Sequence, residues 1–308
     1  MDRSPLLFAL PGNEVMAAKL ADRLGAAVGE IETRRFPDEE TYLRLLTSPA
    51  GRSVALVCTL DHPDPKFLPL VFAVSAAKQL GAQRVGLIAP YLSYMRQDKR
   101  FHPGEAITSV SFARSLSSEI DWLVTVDPHL HRHGSLDAIY SVPSRVAAAA
   151  PAIASWIAAK VLRPFLIGPD SESEQWVATV AGLIGAPYRV LSKERLGDRS
   201  VRITLPDLEG LADRTPVLVD DIASSAQTML EATRQLRRRD LPPPVCVAVH
   251  ALFSPESFAQ FREIASLVAT TNSIYHPSNA IDVSEALAAT ASDLFKIPSP
   301  SGKNAALL

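Results

Sequence analysis

Apolar and polar positions alternate along the chain in two distinct rhythms. Short, nearly continuous apolar runs at residues 6–9, 26–31, 53–60, 84–89, 122–126, 164–167, 188–191, 217–219, 245–251 and 266–270 predict buried strands. Between them, apolar residues recur with helical spacing at 13–24, 66–80, 107–116, 145–160, 172–184, 225–238, 255–261 and 283–293. Strand alternating with helix predicts α/β layering with largely parallel sheets. The punctuation agrees: Asn13 is placed to cap the first helix, and Gly25 and Gly81 follow helix ends, where a left-handed residue is wanted. The pattern divides near residues 142–150 into two α/β halves with no sharp sequence repeat between them, and residues 297–308 read as a loose tail.

Composition narrows the class. The chain has 308 residues, enough for two cores, with 47% apolar and 21% charged residues, as expected of a globular protein. A net charge of −2 gives no bulk attraction to nucleic acid or to an acidic membrane, so a phosphorylated ligand needs a local site. Both cysteines, Cys58 and Cys246, lie in apolar strand-like runs and are expected to pack as small hydrophobes. The N-terminal stretch is too short and proline-interrupted for a signal peptide. The most membrane-like segment, 146–159, is Ala-rich and contains Pro151, so a packed helix and a cytoplasmic protein are expected.

No P-loop and no dinucleotide fingerprint occurs in the sequence. The richest motif is VLVDDIASSAQT at 217–228, which reads as a buried strand, a turn and a helix start. Asp220 and Asp221 suit ribose hydroxyls or a bridging Mg²⁺, and a helix N-terminus offers free N–H groups to a phosphate. The same string can equally be a loop with an ordinary serine cap.

Five other polar clusters accompany it. RRFPDEETYL at 34–43 sets Phe36 beside Asp38 and Glu40, a ring with carboxylates suited to a purine base, or else a solvated turn. PYLSYMRQDKR at 90–100 brings Arg96, Gln97 and Asp98 to the end of a strand, where open α/β sheets bind ligands. VDPHLHRHG at 126–134 carries His129, His131 and His133 at alternate positions; with no cysteine beside them, one histidine near Mg²⁺ or phosphate is a smaller claim than zinc. In the second half, FLIGPDSESEQW at 165–176 sets Asp170 between a strand and a helix start. LSKERLGDRSVRI at 191–203 reads as a hairpin with Lys193 and Arg195 two apart, cations suited to charge on a transferring phosphoryl group.

In this order the clusters resemble the ribose-phosphate diphosphokinase (phosphoribosyl pyrophosphate synthetase) family, over roughly residues 6–291. The resemblance implies two phosphoribosyltransferase-type (type I) α/β domains, each a mostly parallel sheet flanked by helices, at residues 1–145 and 146–296. It implies transfer of the diphosphoryl group of ATP to the 1-hydroxyl of ribose 5-phosphate, with Mg²⁺ as cofactor. By the same resemblance, Phe36, Asp38, Glu40, Arg96, Gln97 and Asp98 serve ATP. Asp220, Asp221, Ser224, Ser225, Ala226, Gln227 and Thr228 serve ribose 5-phosphate, His129 and Asp170 the metal, and Lys193 and Arg195 the chemistry. At least a homodimer is implied, and neither nucleic acid nor membrane is an expected partner.

The chain also departs from the common pattern. Gln227 stands where the family's loop has glycine, and DSESEQW replaces an aspartate followed by a glycine pair. The latter, and the GEAI stretch at 104–107, are similar to the archaeal-type branch; GEAI lies where other members have a basic regulatory segment. Two alternatives stay open: a phosphoribosyltransferase, and a weakly active regulatory homologue that binds nucleotides.

Overall fold

The computed structural model describes residues 4–130, 132–169, 173–195, 201–205, 208–222, 227–239 and 241–296. The chain forms two compact units: residues up to Ala147 together with the segment from Ser284 onward, and Ala148–Val283.

The first unit begins with β1 (Leu6–Ala9), α1 (Glu14–Leu24) and β2 (Ala27–Gly29). It continues through β3 (Ile31–Arg35), β4 (Thr41–Leu45), β5 (Ser53–Val57), α2 (Asp64–Gln79) and β6 (Arg84–Ala89). It then runs through α3 (Thr108–Glu119), β7 (Leu123–Val126) and β8 (Ser144–Ala147). Six strands form one parallel sheet in the order β2-β1-β5-β6-β7-β8. Every residue of β6 and β7 is buried, as central parallel strands covered on both faces require. β3 and β4 form a separate antiparallel hairpin.

The second unit runs α4 (Ala150–Lys160), β9 (Pro164–Gly168), α5 (Glu174–Ile184), β10 (Tyr188–Val190), β11 (Ser192–Arg195) and β12 (Val201–Thr204). It ends with β13 (Thr215–Ile222), α6 (Gln227–Arg237), β14 (Val245–His250), α7 (Pro255–Ile264), β15 (Leu267–Thr271) and β16 (Asn279–Ile281). Its parallel sheet has the order β10-β9-β13-β14-β15-β16, the same order as in the first unit, and β11–β12 is again a separate antiparallel hairpin. The final helix, α8 (Ser284–Lys296), packs on α1, β7 and β8 of the first unit.

Three local expectations change. A helix over 145–160 is expected, yet β8 occupies 144–147 and α4 starts only at Ala150. Pro151 sits in the first helical turn, where its missing N–H costs nothing; a helix reaching back to 145 would set its ring against the carbonyl of Ala147. Asn13 does not cap α1 with its side chain. Its Nδ2 donates to the Leu10 carbonyl at 3.1 Å, and its Oδ1 accepts from the Thr59 N–H at 2.8 Å, tying two strand ends together. The run expected as one strand at 26–31 is broken after Gly29, whose missing Cβ leaves room for the Phe8 ring.

Candidate active site

Some of the sequence clusters sit where parallel strands end, and two lie on the antiparallel hairpins. In the first unit, the RQDKR segment follows β6 and the segment bearing His129 follows β7, the neighbouring strand. Non-glycine residues with left-handed φ follow the sheet strands there: His62 (48°) beyond β5, Tyr94 (59°) beyond β6 and Asp127 (27°) immediately after β7. Such backbone strain concentrates where a fold holds functional groups against local preference.

Phe36 to Glu40 form the loop of the β3–β4 hairpin. The Phe36 N–H donates to the Glu40 carbonyl at 2.8 Å, the Glu40 N–H donates to Asp38 Oδ1 at 3.2 Å, and Glu39 has φ 69°. Phe36 is 39% exposed, with Tyr42 edge-on at 6.1 Å and the Arg34 guanidinium 4.7 Å from its ring centre. Arg35 fastens this loop to α2. Its Nη1 donates to the Glu39 carbonyl at 2.7 Å and its Nη2 to the Pro65 carbonyl at 3.3 Å. That carbonyl is open because Pro69, four residues on inside α2, has no N–H to give it.

The 90–100 segment is anchored at several points. The Tyr94 hydroxyl donates to the Asp64 carboxylate, which raises the Tyr94 pKa above its ordinary value, and the Tyr94 ring lies 4.8 Å from Phe112. Gln97 meets the start of α3: its Oε1 accepts from the Thr108 hydroxyl at 3.1 Å and its carbonyl from the Ser109 N–H at 3.3 Å. Asp98 is buried, and both its oxygens face Arg132 Nη1, at 3.0 and 3.1 Å. Arg96 is exposed and makes no hydrogen bond or ion pair with another described residue. His129 is half-buried beyond the end of β7. Next along, Glu105 of the GEAI stretch closes its own loop, its Oε2 accepting from the Phe101 and His102 N–H groups at 2.7 and 3.1 Å.

In the second unit, β13 runs through both acids to Ile222 instead of turning at them, with Asp220 opposite Ala248 and Ile222 opposite His250 of β14. Adjacent strand residues face opposite sides, so Asp220 and Asp221 do not share a face. The Asp221 N–H donates to Asp220 Oδ1 at 2.9 Å. His250 is 1% exposed beside this strand end, its Nδ1 2.8 Å from the Ser273 hydroxyl; the sequence reading did not single it out, because its apolar neighbours make it look like plain core. Gln227 and Thr228 open α6, whose buried stripe is Met229, Leu230, Thr233 and Leu236. Ser224, Ser225 and Ala226 lie outside the described residues, as does Asp170. Lys193 and Arg195 are on β11, in register with Ile203 and Val201 of β12. At the end of β9, Gly168 allows a close approach to α5: a Cβ there would lie 2.6 Å from the Ser173 hydroxyl oxygen.

The two parallel α/β units, with one strand order and polar segments at strand ends, are matched by family models of the phosphoribosyltransferase class. The N-terminal domain of ribose phosphate pyrophosphokinase matches residues 6–119, and the phosphoribosyl transferase domain matches 135–274. The chain belongs to the ribose-phosphate pyrophosphokinase family of enzymes. It is 32% identical over 280 residues to the ribose-phosphate pyrophosphokinase of the archaeon Methanopyrus kandleri, covering 88% of this chain and 94% of that protein. The Sulfolobus acidocaldarius enzyme of the same name is 31% identical over 282 residues, 88% of this chain and 94% of its own length. The crystal structure of phosphoribosylpyrophosphate synthetase from Mycobacterium smegmatis shares the fold, with TM-score 0.82 and 23% identity over 95% of this chain and 99% of that one. Among the described residues, no helix is long and apolar enough to cross a membrane.

Proposed function

We propose that the protein transfers the β,γ-diphosphoryl group of ATP to the 1-hydroxyl of ribose 5-phosphate, forming phosphoribosyl pyrophosphate and AMP. The observation that carries this reading is the ordered set of motif segments, at the carboxyl ends of parallel strands and on the two antiparallel hairpins, in a chain of this family.

In this reading Phe36, exposed at the hairpin tip, offers a face to adenine, with Asp38 and Glu40 beside it. Arg96 and Gln97 orient the phosphates, and Asp98 belongs to the same segment. Asp220 and Asp221, from the two faces of the end of β13, accept hydrogen bonds from the ribose hydroxyls beyond that end, and Ser224, Ser225, Ala226, Gln227 and Thr228 hold the 5′-phosphate with backbone N–H groups and hydroxyls. Lys193 and Arg195 neutralise charge on the transferring group. His129, with an imidazole nitrogen, and Asp170, with a carboxylate oxygen, would be the protein's donors to Mg²⁺. When bound, that ion neutralises phosphate charge; the side chains supply orientation and exclude water. A homo-oligomer of at least two chains, working in the cytoplasm, is part of the same reading.

The test is AMP release from ATP, followed with and without ribose 5-phosphate. AMP formed only when both are present supports the reading. Pyrophosphate released from phosphoribosyl pyrophosphate and a free base, with no AMP from ATP, would show a phosphoribosyltransferase instead.

A further inference from the structure

Asp98 stands out among its neighbours. Arg96, Lys99 and Arg100 are exposed, yet the Asp98 side chain between them is 2% exposed. A carboxylate so far from water needs a cationic partner and hydrogen bonds. Arg132 meets that need, with Nη1 3.0 Å from one carboxylate oxygen and 3.1 Å from the other, while its own side chain stays 43% exposed. The Phe101 ring stands beside the pair, with the Arg132 guanidinium carbon 5.9 Å from its centre. Arg132 lies three positions beyond His129, on the segment that follows β7, whereas Asp98 follows β6, the adjacent strand. The ion pair therefore joins the segments leaving two neighbouring strands of one sheet.

We propose that Arg132 is a positioning residue for the nucleotide: by holding Asp98 it fixes Arg96 and Gln97 relative to the segment that carries His129, without touching substrate. The inference rests on the assignment of the Arg96–Gln97 segment to ATP. Gln97 is tied to the start of α3 and Tyr94 to Asp64 of α2, whereas the Asp98–Arg132 pair reaches the segment that follows β7. Removing Arg132 leaves a buried carboxylate without this partner, and the segment relieves that by moving Asp98 toward water. Arg96 and Gln97 move with it, and displacement of a positioning group by about an ångström is enough to cost about a hundredfold in the reaction it serves.

The experiment uses the full chain and measures AMP formation while ATP and ribose 5-phosphate are varied separately, for wild type, Arg132→Gln, Arg132→Lys, Asp98→Asn and the Arg132→Gln/Asp98→Asn double variant. Arg132→Gln is expected to raise KM for ATP about tenfold or more, leaving KM for ribose 5-phosphate within about twofold. Because one nitrogen serves both oxygens, Arg132→Lys recovers most of the loss. Residues acting through one contact are not additive, so the double variant loses about as much as one single variant, not the product of the two. An unchanged KM for ATP, an equal rise in both KM values, or no recovery with lysine overturns the inference. Should Arg132→Gln fail to fold, the Asp98→Asn kinetics decide in the same way. Wild type that makes no AMP overturns the proposed function instead. Calorimetric ATP binding to the same variants then decides about Arg132, and wild type that binds no ATP overturns both.

Discussion

Gly86 sits in the middle of β6, the buried strand that delivers the RQDKR segment, and it faces Trp122 at van der Waals range. A Cβ at this position would lie 1.9, 2.1 and 2.3 Å from Cε2, Cδ2 and Cζ2 of the indole. Ordinary carbon–carbon contact is about 3.5–4.0 Å, so Gly86→Ala asks the ring to retreat by roughly 1.5 Å. The ring has nowhere to go: Trp122 is fully buried, and Phe295 of α8 packs edge-on at 5.1 Å. Overpacking a core costs about 1–3 kcal/mol, and an overlap this deep belongs at or above the top of that range. At about 3 kcal/mol, with roughly 2–4 °C lost per kcal/mol in a unit of this size, the melting temperature should fall by about 6–12 °C. A thermal melt followed by near-ultraviolet circular dichroism measures it. Trimming the indole should relieve the clash, so Trp122→Leu should cost about 1–2 kcal/mol less in the Gly86→Ala background than in wild type. A Gly86→Ala protein melting within about 2 °C of wild type would refute this packing argument.

Lys193→Ala should lower AMP formation by about 10²–10³ with folding intact, the usual loss for one preorganised donor; near-full turnover would remove Lys193 from the chemistry. Backbone N–H groups of Phe101 and His102 hold the Glu105 carboxyl below its ordinary pKa. The contact is therefore complete above the ordinary glutamate value of about 4.3 and is lost as pH falls through the depressed one. Amide resonances of Phe101 and His102 should titrate with a midpoint below that of a free glutamate, and a midpoint at or above it would contradict the assignment. Burial pushes the thiols of Cys58 and Cys246 up to about 12, so neither should react with a disulfide reagent at pH 8 until the protein is unfolded. Rapid labelling of the native protein would show one of them exposed.

Much of the fold is legible in the sequence because its signals are local. Short apolar runs gave the strand cores, and β1 and β6 have the bounds expected. Met229, Leu230, Thr233 and Leu236 recur at helical spacing, and each is buried on one side of α6. Gly25 ends α1 with φ 61°, as a residue without Cβ readily does. The candidate site was legible as motifs, since Phe36, Arg96, His129, Asp220 and Lys193 each belong to a polar cluster beside an apolar run.

Tertiary structure decided whatever depends on partners distant in sequence. β8 exists because residues 144–147 pair in parallel with β7, and nothing in the helix-like run that contains them announces a strand. None of the strand residues of the β3–β4 hairpin is fully buried, so it lacks the continuous apolar run by which the other strands are recognised. The two sheets share one strand order although the halves share no sharp sequence repeat, because a parallel sheet asks only for apolar strands linked by crossovers. The last helix returns to the first unit because its apolar face fits against α1 and the strands β7 and β8, a choice made by shape and not by chain order. Asp98 shows the division in one residue. The sequence identifies a carboxylate within a cationic run, while its burial against Arg132, 34 positions away, is fixed only when adjacent strands bring the two segments together.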